Sequence, residues 1–352
     1  MTQEEINNLI AENQSLRKEI SILKNSRSYK ITKPLRILGR IARKIKHTVL
    51  SKKRQDVSNP EYLSRIADNR SYCQIPEEEY PNRLKAWFKE LTGEELHLDN
   101  PQTFNEKLNW LKLYDKNPLK SLCADKFLAP KWAKKRCPEL HTVKILKSWK
   151  HAKDIDFSKL PQKFALKCNH GSGMNIIVTD KSKLNIPEAV GKLNYWMQMD
   201  YAHWNHSFEI HYSAIPRRII CEEFIENEDE HGLLDYKIHC FNGEPKSIEV
   251  QFDHHEGQFT SVFFDINWNR LNITRKDKIF TSAKIPKPNQ LIAMLNIAKK
   301  LSSAFLYVRV DLYELHNKVY FGEMTFTPGM CIFLWEPLSI DIEWGKYISL
   351  VD

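Results

Sequence analysis

The sequence predicts an α+β fold in which sheets and helices form layers, and three observations carry that reading. Short runs rich in β-branched and aromatic residues crowd the chain after 163: KFALKC, NIIVTD, RRIICEEFIE, DYKIHCF, SIEVQFD, LYVRVDLYEL and KVYFGEMTF. Several are joined by connections short enough for hairpins, and helical stretches near 186–200 and 288–304 interrupt them in mixed order. A doubly wound parallel sheet would instead alternate strand and helix. At 352 residues and 42% hydrophobic, the chain can bury a large core, holds two or three domains, and is neither disordered nor collagen-like.

From the N-terminus, residues 1–24 carry Ile6, Leu9, Asn13, Leu16, Ile20 and Leu23 at alternating spacings of three and four. That is the a/d seam of a coiled coil, and Asn13 on an a position suits a parallel homodimer. A single amphipathic helix is the alternative. Residues 24–54 hold twelve bases and no acid, with Leu35, Leu38, Ile41, Ile45 and Val49 forming an apolar stripe. Such a basic amphipathic helix, or linker over 25–58, suits an anionic membrane surface. Interleaved aromatics for base stacking are missing, so nucleic acid is not the expected partner.

Residues 59–150 read as a helical N-terminal region. RLKAWFKELTG ends on a glycine that can cap a helix, and Thr103 stands three residues before Glu106 as a capping box. No internal repeat is visible.

The net charge of +9 is not spread evenly. Residues 1–54 hold fourteen bases and four acids, while the remainder is balanced, so the globular body is neutral. Seven cysteines with no CxxC pair exclude a zinc ribbon and a disulfide framework. No apolar run reaches transmembrane length, and the polar start MTQEEINNLI has no signal-peptide core; a cytoplasmic location is expected.

Three constellations carry chemistry. Lys167-Cys168-Asn169-His170-Gly171-Ser172-Gly173 lies between two predicted strands, where backbone N–H groups and an ammonium can meet phosphate oxygens. Alone, a plain hairpin turn would account for it. Arg309-Val310-Asp311 and Glu323-Met324-Thr325 sit on strands joined by a Glu314–Lys318 loop, so a hairpin can bring Asp311 to Glu323. Two carboxylates converging among apolar flanks require a cation, and hard oxygen ligands suit Mg²⁺; outward-facing carboxylates are the alternative. The third, Ile219-Ile220-Cys221-Glu222-Glu223-Phe224-Ile225 with the acidic loop Asp229-Glu230 and then Lys237, could frame a base and a ribose. His203, His206, His254 and His255 match no common metal spacing and read as surface or substrate-contact residues.

Taken in this order, the constellations resemble the ATP-grasp fold. The blocks TFNEKLNWLKLYDKNPL, ADK at 124–126, LPQKFALKCNHGSGMN, DYKIHCFNGEP and YFGEMTFTPG are similar to one branch, the TupA-like ATP-grasp family linked to cell-surface polysaccharide biosynthesis. The resemblance spans about 80–340. It implies two α+β subdomains gripping ATP, here 151–225 and 226–352, the second with the metal site.

It also implies roles. Lys126 and Lys167 would contact ATP phosphates, with His170, Gly171, Ser172 and Gly173 as a flap. Glu222 or Glu223 would meet the adenine amino group beside the Phe224–Ile225 backbone, and Asp229 or Glu230 would hold the ribose; Lys237 joins the nucleotide candidates. Asp311 and Glu323, with Thr325 where the general pattern has Asn, would ligate Mg²⁺, and Arg309 together with Lys167 would serve the transferring group. The implied activity is an ATP- and Mg²⁺-dependent carboxylate–amine ligase acting through an acyl phosphate. It would attach an amino acid or amine to a uronic acid of a capsule, O-antigen or cell-wall polysaccharide, or of a lipid-linked glycan precursor, at the inner face of the membrane. A glycosyltransferase and a non-catalytic membrane-recruiting adaptor are the rival expectations.

Overall fold

In a computed structural model of the protein, the described residues are 59–225, 233–254, 258–278, 281 and 283–350. The expected coiled coil over 1–24, the basic segment 25–58, and Asp229, Glu230 and His255 lie outside them. Val57–Asp352 forms one compact unit.

Five helices come first: α1 (Pro60–Tyr72), α2 (Tyr80–Thr92), α3 (Phe104–Tyr114), α4 (Leu119–Ala124) and α5 (Ala129–Arg136). Asn59 caps α1 through its side chain, with Pro60 in the first turn. Gly93 ends α2 in the left-handed region at φ 78°, as expected of a glycine C-cap. The Thr103–Glu106 capping box starts α3, each side chain bonding the other residue's backbone N–H. Such a cap contributes about 1 kcal/mol.

Strands follow: β1 (His141–Thr142), β2 (Ile145–Trp149), β3 (Phe164–Cys168) and β4 (Asn175–Val178), then α6 (Ile186–Trp196) and β5 (Ile219–Glu223). Beyond them come β6 (Asp235–Phe241), β7 (Glu244–His254), β8 (Gln258–Asp265), β9 (Thr274–Arg275), α7 (Leu291–Ser302), β10 (Tyr307–Leu315), β11 (Lys318–Thr325), β12 (Trp335–Glu336) and α8 (Ser339–Gly345).

Two sheets result. The smaller runs β2-β5-β3-β4, all antiparallel, and the larger runs β1-β11-β10-β6-β7-β8, antiparallel except for the β1–β11 pair. The helical region therefore ends earlier than its sequence suggests. Ile145–Trp149 is a strand of the small sheet, and its residues are mostly half-buried, so no clean alternation marks it. Gln258–Asp265 is a further strand that hydropathy alone does not single out, its Val-Phe-Phe centre flanked by polar residues.

Period-two alternation sorts the large sheet into two faces. Ile238 and Cys240 of β6 and Val308, Val310 and Leu312 of β10 join one core with α5 and α7. Burying each of these aliphatic side chains contributes roughly 1.5–3 kcal/mol. On the opposite face, Phe241 and Tyr307 pack with Phe104 of α3 and Trp344 of α8. The same face continues into Lys237, Arg309 and Asp311, all buried. One face of the sheet thus holds the fold, and the other changes along its length from aromatic core to charged site.

Candidate active site

The site is organised by the β10–β11 hairpin. A two-residue turn, His316-Asn317, closes it with both residues at positive φ (49° and 60°), the twist that matches paired strands. Away from the turn, pairing runs Glu314↔Val319, Tyr313↔Tyr320 and Leu312↔Phe321, and then jumps to Asp311↔Glu323. Gly322 is the residue left over, a β-bulge. Its effect is decisive, because an unbroken register would place Glu323 opposite Val310 on the apolar face. The bulge turns Glu323 and Thr325 onto the face of Arg309 and Asp311. A Cβ at Gly322 would lie 2.8 Å from the Asp311 carbonyl oxygen and 2.9 Å from the Tyr313 ring, so only glycine fits without displacement.

Asp311 is 1% exposed, which removes the alternative of an outward-facing carboxylate. Arg309 grips it in a fork, Nε to Oδ1 at 2.7 Å and Nη2 to Oδ2 at 2.7 Å, and Lys237 Nζ donates to Oδ2 at 2.8 Å. Lys237 also pairs with Asp235. Lys126 Nζ donates to Glu323 Oε2 at 2.8 Å, Thr325 Oγ1 to Glu323 Oε1 at 3.0 Å, and Arg309 Nη2 lies 3.8 Å from Glu323 Oε1. Three acids and three bases thus neutralise one another, with Asp311 and Lys237 buried and Glu323 and Lys126 reaching partly into solvent. Lys126 above all holds the Glu323 carboxyl well below the usual range, against the effect of burial. Burial opposes the charge of Lys237, but Asp235 and Asp311 outweigh it and hold the ammonium above its ordinary value. Burial raises Asp235, and its Oδ1 is buried with no hydrogen-bond partner among the described residues.

This arrangement fits a divalent cation. Asp311, Glu323 and Thr325 offer hard oxygens on one face, and the orphaned Asp235 oxygen leaves unmet acceptor capacity beside them. Arg309, expected beside the transferring group, is instead committed to Asp311 and stands between the two carboxylates.

A pocket opens on one side of Glu323, between the two sheets. Ala165 and Ile177 of the small sheet face Tyr313, Phe321 and Leu233, and Lys126, Lys167, Glu222, Glu223, Phe224 and Ile225 complete the lining. Apolar walls with a few charged groups at the rim suit a flat aromatic ring carrying an anionic tail. Six expected nucleotide residues meet here, beside the expected metal ligand Glu323. Of the two residues expected at an adenine amino group, Glu222 or Glu223, Glu222 is joined to Lys167 at 2.6 Å. Lys167 lies on β3 directly across from β5, so the two side chains share one face of the sheet. Glu223 is exposed and leaves its carboxylate available.

The KCNHGSG loop and the ADK segment touch. Asn169, fully buried, donates to Asp125 Oδ1 at 2.7 Å, and its carbonyl accepts from the Lys126 N–H at 3.1 Å. Arg218 N–H donates to Asn169 Oδ1 at 2.6 Å. Sequence reasoning missed this clamp, which fixes Lys126 relative to Lys167, because its two residues lie 44 positions apart. The loop's tip departs from expectation. His170 is 1% exposed, its Nε2 3.2 Å from the Trp196 carbonyl oxygen, and it lines no part of the pocket. Burial first and Arg217's charge second push its imidazole down to about 4. Gly171 lies so close to the Tyr201 ring that a Cβ would collide with it.

Ser172 and Gly173 instead border a second cleft on the other side of Glu323. Its walls are the aromatic residues Trp196, Tyr201, Trp204 and Tyr212, and a polar side of Lys237, Gln251, Arg275, Lys278, Arg309 and Thr327. Glu209 also borders it, 3% exposed, with its carboxyl raised by burial and bonded to Ser207 and Thr327. Of these residues, only Lys237 and Arg309 were expected at the site. The aromatic density of 195–212 was the signal for the aromatic wall; Gln251, Arg275, Lys278 and Thr327 had none. His203 is buried, not a surface residue, and His206 stacks on Tyr72 with ring centres 3.6 Å apart. No helix among the described residues is long and apolar enough to cross a membrane.

Comparison with known proteins follows this geometry. The chain is similar to the D-alanine–D-alanine ligase of Bacillus anthracis complexed with ATP, at 17% identity, covering 59% of this chain and 55% of that one, TM-score 0.34. It is similar to the D-alanine–D-alanine ligase of Helicobacter pylori at 17% identity, covering 70% and 69%, TM-score 0.38. To phosphoribosylglycinamide synthetase of Anaerococcus prevotii it is 14% identical, covering 63% and 49%, TM-score 0.29. The chain thus spans little more than half the length of the first of these. No curated protein matches it. The model of the family described as TupA-like ATPgrasp matches residues 106–349, which takes in the Lys126 segment, the KCNHGSG loop, β5 and the whole β10–β11 hairpin. With two thirds of its length matched and its motifs assembled around one site, the chain belongs to the TupA-like ATP-grasp family and has the ATP-grasp fold.

Proposed function

We propose that this protein is an ATP- and Mg²⁺-dependent carboxylate–amine ligase that attaches an amino acid or amine to a uronic acid, or a similar sugar acid, of a surface polysaccharide or its precursor. One observation carries the reading: the pocket suited to a nucleotide and the larger aromatic-walled cleft meet at Glu323. A phosphoryl group held beside Glu323 would therefore face a carboxylate lying in the second cleft.

In that reading Lys167 and Lys126 bind phosphate oxygens, giving up part of their present pairing with Glu222 and Glu323. Asp311 and Glu323, with Thr325, hold Mg²⁺, which supplies charge neutralisation as a phosphoryl group transfers. Arg309 and Lys237 hold the Asp311 carboxylate and offset the charge of the acids that would face two anionic substrates. The substrate carboxylate takes the γ-phosphoryl group, ADP leaves, and an amine displaces phosphate from the acyl phosphate to form the amide.

The second cleft supports a sugar acid as substrate. Flat indole and phenol faces suit the apolar faces of a pyranose, while Arg275 and Lys278 opposite suit an anionic substituent. Purified protein given ATP, Mg²⁺, uronic acids and amino acids in combination should release ADP and phosphate in step with amide. ADP release that needs neither co-substrate, or amide formed without ATP, would reject the proposal.

The basic N-terminal segment supports a peripheral site on an anionic membrane. Deleting residues 1–54 should abolish cosedimentation with anionic liposomes and leave turnover of a soluble acceptor unchanged, because bases near such a surface contribute about 1 kcal/mol each. Full-length protein that ignores anionic liposomes at low salt would refute the anchor. If the Ile6–Leu23 seam pairs two chains, the same deletion converts a dimer into a monomer.

A further inference from the structure

Away from the proposed active site, three side chains of different ligand type converge. Cys73 caps the C-terminus of α1, and Asp200 and His203 stand on the segment after α6. Cys73 Sγ lies 3.6 Å from His203 Nδ1, Asp200 Oδ1 lies 3.8 Å from the same nitrogen, and one ligand atom from each of the three lies within 4.8 Å of the others. Those separations are close to the ligand–ligand edges of a tetrahedron with metal–sulfur about 2.3 Å and metal–nitrogen or –oxygen about 2.0–2.2 Å.

The three groups are also held in place. Asn69 of α1 donates to the Asp200 carbonyl at 2.9 Å and accepts from the Asp200 N–H at 2.8 Å, which ties the two segments together beside the cluster. Asp200 Oδ1 accepts from the Ala202 N–H at 3.0 Å, setting its rotamer. Tyr80 Oη lies 3.2 Å from His203 Nε2. A proton on Nε2, donated to Tyr80, leaves the Nδ1 lone pair facing Cys73 and Asp200, the outer-shell arrangement usual for a metal-bound imidazole. Without a cation, the carboxylate and a thiolate would repel one another.

We infer that Cys73, Asp200 and His203 form a binding site for Zn²⁺, with the fourth position open where Cys73 meets solvent. Sulfur, imidazole nitrogen and carboxylate oxygen together favour zinc over the Mg²⁺ suited to Asp311 and Glu323. Binding would release the thiol proton to solvent and staple α1 to the segment bearing Tyr201 and Trp204, two walls of the second cleft. The inference is independent of the proposed reaction. It was hidden in the sequence because Cys73 lies 130 residues from His203.

Cobalt(II) titration of the full-length protein tests it. Cysteine ligation gives a thiolate-to-cobalt charge-transfer absorption, which cobalt at Asp311 and Glu323 cannot give. One equivalent per chain should produce that band, and Zn²⁺ should bleach it. Cys73→Ser should abolish it, and Asp200→Asn should weaken cobalt binding at least about tenfold. Both variants should melt like the parent when metal-free, since Cys73 is exposed and Asn is isosteric with Asp. The site is overturned by absence of the band in the parent protein, by an undiminished band in Cys73→Ser, or by unchanged affinity in Asp200→Asn.

Discussion

The two recesses that meet at Glu323 differ in how they are built. The nucleotide-suited pocket draws its charged groups from a few contiguous motifs: Lys126, Lys167, the run Glu222–Ile225 and Glu323. The second cleft gathers residues from 172–174, 196–212, 237, 251, 275–278, 309 and 323–330. A pocket made by the ends of neighbouring strands announces itself as short motifs. A cleft whose walls come from loops and irregular turns does not. In the proposed reaction the first recess would take the nucleotide, while the second, with its indoles and guanidinium, would select the acceptor.

The sharpest way to break the comparison is to remove the shared boundary. Asp311→Ala or Glu323→Ala should lower Mg²⁺-dependent ATP turnover by at least about a hundredfold, the scale of losing a preorganised charge at the reacting centre. Circular dichroism should report a retained fold. Full activity in both variants would disconnect the hairpin from catalysis.

Gly322→Ala tests the bulge that places Glu323. The new methyl group would lie against the Asp311 carbonyl and the Tyr313 ring, costing roughly 1–3 kcal/mol of stability. Turnover should fall more than the melting temperature alone explains, because Glu323 moves with the bulge. An active variant of parental stability would mean that the register is not critical.

Lys167→Ala should weaken ATP binding by about 1.5–3 kcal/mol, measured by calorimetry, since it removes a charged donor and frees Glu222 to repel the phosphates. On the other side of Glu323, Trp204→Ala should raise the acceptor KM roughly tenfold, or about 1.4 kcal/mol, and leave the ATP KM alone. A matching change in both constants would erase the division between the recesses.

Another effect concerns pH, and it acts on stability instead of turnover. His170 is held at about 4 in the folded chain against an ordinary 6.5, so the unfolded chain binds the extra proton first. Its contribution to stability is complete above pH 6.5 and is lost as pH falls toward 4, a total of about 3 kcal/mol. Denaturant unfolding of His170→Gln across this window should show a shallower pH slope than the parent; an equal slope would assign the effect to other groups.

Much of this was legible from residues. The Thr103–Glu106 box, the Gly93 cap and the strand alternation through Arg309-Val310-Asp311 act locally, and each appears as its pattern requires. The Asp311–Glu323 pairing was also foreseen, but the foresight needed the Gly322 bulge, because two strictly alternating strands closed by His316-Asn317 would have missed it by one residue. What could not be read depends on distance in sequence: the Asp125–Asn169 clamp, the Lys167–Glu222 pair, and the burial of His170 against Trp196. A charged residue's partner is fixed by strand order, and strand order is not written in any one segment.

In the proposed reaction a carboxylate is activated by phosphorylation where the two recesses meet at Glu323. The direct measurement is oxygen transfer: a uronic acid labelled with ¹⁸O in its carboxylate is turned over with ATP, Mg²⁺ and an amine, and the released phosphate is analysed by mass spectrometry. The account predicts that one labelled oxygen appears in phosphate for each amide formed. Amide formation with unlabelled phosphate, or consumption of a nucleotide sugar with no need for ATP, would contradict it.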